Sequence, residues 1–92
     1  MFPRPFYVYV CLSLKDGKLY TGSTNNLERR LSEHAAGKVF STKSRLPLEL
    51  VYYEVYKNEK DARLREKYLK GGGRARRNFK LQLAETLKEI HL

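Results

Sequence analysis

A chain of 92 residues, 41% hydrophobic and 32% charged, has room for one small domain over residues 1–92 and is too apolar for a disordered tail. Its net charge of +9 and pI of about 9.9 favour a polyanionic partner, because each phosphate a cation neutralises releases counterions. The lone Cys11 excludes an internal disulfide and a cysteine zinc centre. No apolar run approaches the length of a membrane span, and the N-terminus Met1-Phe2-Pro3-Arg4-Pro5 has no secretory pattern. A reducing cytoplasm and no membrane partner are therefore expected.

In chain order, residues 6 to 14 alternate aromatic and β-branched side chains and read as a strand. Asp16-Gly17 is a hairpin turn signal, and residues 18 to 23 return as a second strand. A two-residue turn there pairs position 9 with 24 and 13 with 20. Tyr9 and Tyr20 then project from one face, offset by four residues or roughly 13 Å. Asn25 or Asn26 caps a helix in which Leu27, Leu31 and Ala35 recur at helical spacing, and Gly37 ends it. A basic loop from Lys38 to Arg45 follows. Pro47 leads into a third strand, Leu48 to Tyr56, with Leu50, Tyr52, Glu54 and Tyr56 on one face. Asn58 with Asp61 opens a second helix that runs to about Lys70 and stops at Gly71-Gly72-Gly73. A third helix over about residues 75 to 90 carries Leu81, Leu83, Ala84 and Leu87 on its apolar side. The expectation is an α+β fold: a three-stranded, mainly antiparallel sheet flanked by helices, in the order strand, strand, helix, strand, helix, helix.

Three features suit chemistry as well as packing. Seven tyrosines stand in a chain without tryptophan, and Tyr9 and Tyr20 share a hairpin face, although tyrosine is also a good strand residue. Leu27, Arg30, Leu31 and His34 form one helical stripe, so Arg30 and His34 stack a turn apart. Arg30 is then either a side chain whose stem packs on the core or a fixed cation for a phosphate. Ala62, Glu66 and Leu69 share a face of the second helix, which sets a carboxylate among apolar neighbours. It needs either a cationic partner (Arg63, Lys67 or Lys70) or a metal ion. Between Lys57 and Lys80, ten Lys or Arg stand against three acids. Such an excess of one sign suits a phosphate-tracking surface.

Together these residues resemble the GIY-YIG nuclease superfamily. Tyr7-Val8-Tyr9 is similar to its first motif with tyrosine in place of glycine, and Tyr20-Thr21-Gly22 to its second with threonine in place of isoleucine. Asn26-Leu27-Glu28-Arg29-Arg30-Leu31-Ser32-Glu33-His34 resembles the helix that carries the family's arginine and histidine, which fall on Arg30 and His34. Arg65-Glu66-Lys67-Tyr68-Leu69-Lys70 resembles the segment with its metal-binding glutamate, which falls on Glu66. Asn78 is a candidate for a late asparagine that some members carry. The similarity covers about residues 6 to 82 and is greatest to the small stand-alone bacterial members, similar to the N-terminal incision domain of excinuclease C.

The resemblance implies a metal-dependent endonuclease acting on nucleic acid, DNA ahead of RNA, in repair or recombination. Tyr9, Tyr20, Arg30, His34 and Glu66 are its implied catalytic set. Glu66 would hold one Mg²⁺ or Mn²⁺, a hard cation for which a single protein carboxylate suffices. Arg30 would contact the phosphoryl oxygens. Tyr9 would activate water, provided nearby positive charge lowers its pKa. Tyr20 and His34 would orient water or carry protons. Lys38, Lys43, Arg45, Arg74, Arg76 and Arg77 would hold the nucleic-acid backbone as a group, although each alone also reads as a solvated charge. A catalytically silent nucleic-acid-binding module of the same fold is the alternative, and an RNA-associated structural protein a third.

Overall fold

The computed structural model describes residues 4–90; residues 1–3, part of the N-terminal segment read above, lie outside them. Strands β1 (Phe6–Ser13), β2 (Leu19–Thr24) and β3 (Leu48–Tyr56) form one antiparallel sheet in the order β2-β1-β3. Helix α1 (Leu27–Ala35) follows β2, and α2 (Glu59–Lys70), α3 (Gly73–Gln82) and α4 (Ala84–Ile90) follow β3. The expected α+β order therefore holds through α2. Among the described residues no helix is long and apolar enough to cross a membrane.

The hairpin register differs from the expected one. A two-residue turn of the favoured type needs positive φ at both Asp16 and Gly17, but only Gly17, at +72°, has it. The loop is wider instead: Gly17 N–H donates to Ser13 O, and the Ser13 hydroxyl accepts from Lys15 N–H and Asp16 N–H. Tyr9 thus lies opposite Gly22 and Cys11 opposite Tyr20. The slip is even-numbered, so the face is preserved. The offset between Tyr9 and Tyr20 falls from four residues to two.

A bulge on β3 makes the second correction. Val10 pairs with Tyr52 and Cys11 with Leu50, which leaves Val51 unpaired. Leu50 therefore turns to the face of Cys11, away from Tyr52, Glu54 and Tyr56. The phenols of Tyr52 and Tyr56 both donate to the Glu54 carboxylate, at 2.6 and 2.8 Å. Arg65 of α2 adds a two-pronged contact to the same carboxylate, through Nε at 3.0 Å and Nη2 at 3.0 Å. Burial opposes the charge on Glu54, but Arg65 and the two phenols outweigh it and hold its carboxyl below the usual range.

The core lies on one face of the sheet. Val8 and Val10 pack there with Ala62 and Leu69 of α2, Phe79 of α3, and Leu83. The expected third helix is broken: Leu83 leaves helical geometry at φ −101°, ψ 14° and separates α3 from α4. Phe79, Leu83 and Leu87, spaced four residues apart, face the core, whereas Leu81, two residues from Phe79 and from Leu83, points the other way and is 70% exposed rather than part of the apolar side. The Phe79 ring stands edge-on to Tyr52 with centroids 5.0 Å apart. Phe79→Ala should cost about 3–5 kcal/mol of stability, read as a lower denaturant midpoint at unchanged m-value.

Candidate active site

The other face of the sheet carries the hairpin tyrosines, covered by α1. Asn26 caps that helix by accepting from Arg29 N–H, and Gly37 N–H and Lys38 N–H close its end on His34 O and Glu33 O. His34 is the buried residue of α1 and meets Tyr9 Oη through Nε2 at 2.7 Å. Its Nδ1 meets the hydroxyl of buried Thr42 at 2.7 Å. Tyr20 packs edge-on against His34, centroids 5.2 Å apart, and lies 6.3 Å from the Tyr9 ring. Gly22 makes room for this cluster, since a Cβ there would sit 2.6 Å from Tyr9 Oη.

Electrostatics decides the protonation of the group. Burial, and then the nearby Arg30 guanidinium, push the His34 pKa down against the weaker pull of Glu33. A neutral imidazole has one donor and one acceptor nitrogen. The Arg30 guanidinium lies near the Tyr9 phenol and favours its oxygen as an acceptor. Tyr9 then donates to His34 Nε2, and Nδ1–H donates to Thr42; this tautomer is assigned from the network. Burial, reinforced by Tyr20, raises the Tyr9 pKa, and Arg30 only partly offsets it. Tyr9 is fully buried. Desolvation outweighs the guanidinium, so Arg30 by itself does not ionise Tyr9, and the half-buried Tyr20 is the phenol nearer to solvent.

Glu66 stands apart from these four residues. Neighbouring strand residues point to opposite faces, so Gly22 sits under Tyr9 while Ser23 faces α2. Ser23 donates its hydroxyl proton to Glu66 Oε1 at 2.6 Å, and Lys70 Nζ lies 2.8 Å from Oε2. Of the three cationic partners read from sequence, Lys70 is thus the one that pairs with it. Burial opposes the Glu66 charge, but Lys70 and Ser23 prevail and hold the carboxyl below its ordinary range. Lys70 Nζ also lies 5.9 Å from the Tyr20 ring centroid and links the two faces around β2. Tyr9, Tyr20, Arg30 and His34 are therefore brought together, and Glu66 approaches the same edge strand from behind. Thr42 was missed in the sequence because a threonine in a basic loop shows no periodicity. Ser23 was legible from strand alternation.

The basic residues divide by role. Lys38 and Lys43 are exposed beyond α1, with Lys43 Nζ over the exposed Phe40 ring at 5.0 Å. Arg45 is a structural tie, donating to Asp16 Oδ2 at 2.8 Å and to Lys18 O at 3.2 Å. Through Arg45 first, and then the Lys18 N–H, the Asp16 carboxyl falls to about 2. Arg74, Arg76 and Arg77 are exposed on α3. Asn78 lines a separate hollow with Arg65, Tyr68 and Gln82.

A histidine whose folded pKa is depressed contributes stability that is complete above its unfolded value and is lost as pH falls through the folded one. Acidification from about pH 6.5 downward should therefore weaken the fold through His34. Ring-proton NMR should show His34 titrating below that value. Thr42→Val, which strands Nδ1, should cost about 1–3 kcal/mol in chemical denaturation.

Comparison with known proteins sets this geometry in a family. Residues 5–80 match the GIY-YIG catalytic domain. A UPF0213 protein of Clostridium perfringens is 45% identical over 86 residues, covering 90% of this chain and 88% of the relative. A UPF0213 protein of Natronomonas pharaonis is 46% identical over 72 residues, covering 77% and 84%. The solution NMR structure of a UPF0213 protein from Bacillus halodurans superposes with a TM-score of 0.54 at 32% identity, covering 86% of this chain and 84% of that one. With a paired-tyrosine hairpin, an arginine–histidine helix and a match over most of its length, the chain belongs to the GIY-YIG family.

Proposed function

We propose that this protein is a metal-dependent endonuclease that hydrolyses phosphodiester bonds of DNA, in repair or recombination. The family carries the coarser part of that statement, nuclease descent and nucleic-acid binding. The observation that supports activity is the convergence of Tyr9, Tyr20, His34 and Arg30 on one hairpin face, with an ionised carboxylate across the edge strand. The choice of DNA rests on the resemblance alone.

Each group has a task in phosphodiester cleavage. Arg30, half-exposed and held by Glu33 at 3.1 Å, can exchange that partner for the phosphoryl oxygens, which a planar fork fits well. Tyr20 faces the incoming water. Tyr9 and His34 position Tyr20 and Arg30 and keep their polar atoms dry and paired.

Among the described residues no group of three or more His, Cys, Asp or Glu is placed to hold a metal. Glu66 with the Ser23 hydroxyl still suits Mg²⁺ or Mn²⁺, which keep several waters and accept one protein carboxylate. When bound, the ion supplies positive charge to the phosphoryl oxygens and the leaving group. Lys70 must yield its place on Oε2.

That last requirement favours a second reading, a silent nucleic-acid-binding module in which Lys70 keeps Glu66 permanently paired. Nicking of supercoiled DNA with Mg²⁺ or Mn²⁺ separates the two. Tyr20→Phe, Arg30→Ala and Glu66→Gln should each lower the rate by about 100-fold or more, the usual cost of losing a charge-stabilising group. Cutting that survives all three substitutions defeats the site assignment. No cutting by the wild type, with salt-sensitive binding retained, selects the silent module.

A further inference from the structure

The open edge of β2 continues past Tyr20 into a hollow of about 430 Å³ lined by Lys18, Leu19, Arg45, Arg76 and Lys80. Four cationic residues and no acid are among its lining residues, and one of the four, Arg45, is paired with Asp16. Arg76 and Lys80 are four residues apart on α3 and share one side of that helix. Lys18 and Arg45 reach the hollow from the hairpin end, where Arg45 is tied to Lys18 O. Like charges brought together in this way repel, and an anion relieves the repulsion.

The backbone of β2 points the same way. Ser13 N–H donates to Lys18 O, so positions 13 and 18 form a hydrogen-bonded pair. Ladder alternation then turns the N–H groups of Leu19, Thr21 and Ser23 away from β1, along the outer edge of the sheet. Lys18 and Ser23 are separated by roughly 16 Å of strand. At one end stand Ser23 and Glu66, at the other the basic hollow, and Lys70 and Tyr20 lie between.

We propose that Lys18, Arg76 and Lys80, with Arg45 as their fixed support, anchor phosphates of the nucleic-acid strand, so that the strand runs along the outer edge of β2 from the hollow to Glu66. This rests on the nucleic-acid-binding reading of the family and adds Lys18 and Lys80 to the residues that carry it. Phosphate-neutralising contacts and edge amides position a backbone without reading sequence, so the anchor acts alike on any base composition.

The test is DNA binding by fluorescence anisotropy, without divalent ion, across about 50 to 200 mM salt. The combined variant K18Q/R76Q/K80Q should lose affinity at least tenfold at the low-salt end. It should also flatten the slope of log K against log salt by about two to three units, as three lost phosphate contacts require. K60Q/K67Q/K88Q, which removes the same charge from other exposed positions, should change the slope far less. If the combined variant fails to fold, K80Q alone should still lower the slope by about one unit.

Equal losses in the two combined variants would reduce the effect to net charge and overturn the anchor. Unchanged DNA binding with an altered sedimentation coefficient would overturn it in favour of edge-to-edge association of two copies. Because no metal is present in this assay, a protein that never cuts DNA but shows the slope difference would defeat the catalytic reading and leave the anchor standing.

Discussion

The hydrogen bond between Tyr9 and His34 joins the sheet to the helix that would otherwise have little reason to stay on it. Helix α1 buries one residue fully, and that residue is an imidazole rather than an aliphatic chain. Its two ring nitrogens are satisfied by a strand phenol and a loop hydroxyl. A dry, paired imidazole is tolerable, whereas an unpaired one costs about 1–3 kcal/mol. The same contacts therefore seat α1, place Arg30 beside two phenols, and fasten the turn that carries Thr42. Packing and site geometry are one arrangement here, because the polar atoms that define the site are those that hold the helix.

Strand β2 organises the charges. Its position at the sheet edge leaves one side without a neighbouring strand, and its alternation sends Tyr20 and Gly22 to the α1 face and Ser23 to the α2 face. Aromatic groups and the guanidinium gather on one side, the carboxylate on the other, and Lys70 closes the gap. A nucleic-acid strand lying along that edge meets both sides at once.

Much of this was readable in the chain. A capping asparagine at 25 or 26, the stripe of Arg30 and His34, and the bounds of β3 follow from local chemistry, and local chemistry decides them. The misreadings arose where one choice depended on distant partners. Ser13 widened the hairpin by bonding its loop with its own hydroxyl, which shifted Tyr20 two residues nearer to Tyr9. The bulge at Val51 appears only when β1 is laid beside β3. The break at Leu83 is not signalled by local propensity, and Phe79 and Leu83 keep a common face toward the core up to it. The burial that opposes ionisation of Tyr9 was equally hidden, because neighbouring charge is visible in a sequence and solvent access is not.

The two-pronged contact of Arg65 on Glu54 acts at a distance from itself. Successive residues of a helix are rotated by about 100°, so fixing Arg65 toward β3 fixes the roll of α2 about its own axis. Glu66, the next residue, is thereby swung toward β2. The helix works as an axle clamped on one side of the sheet and read out on the other. A loosened grip at the far strand would be felt as a misaimed carboxylate at the near edge.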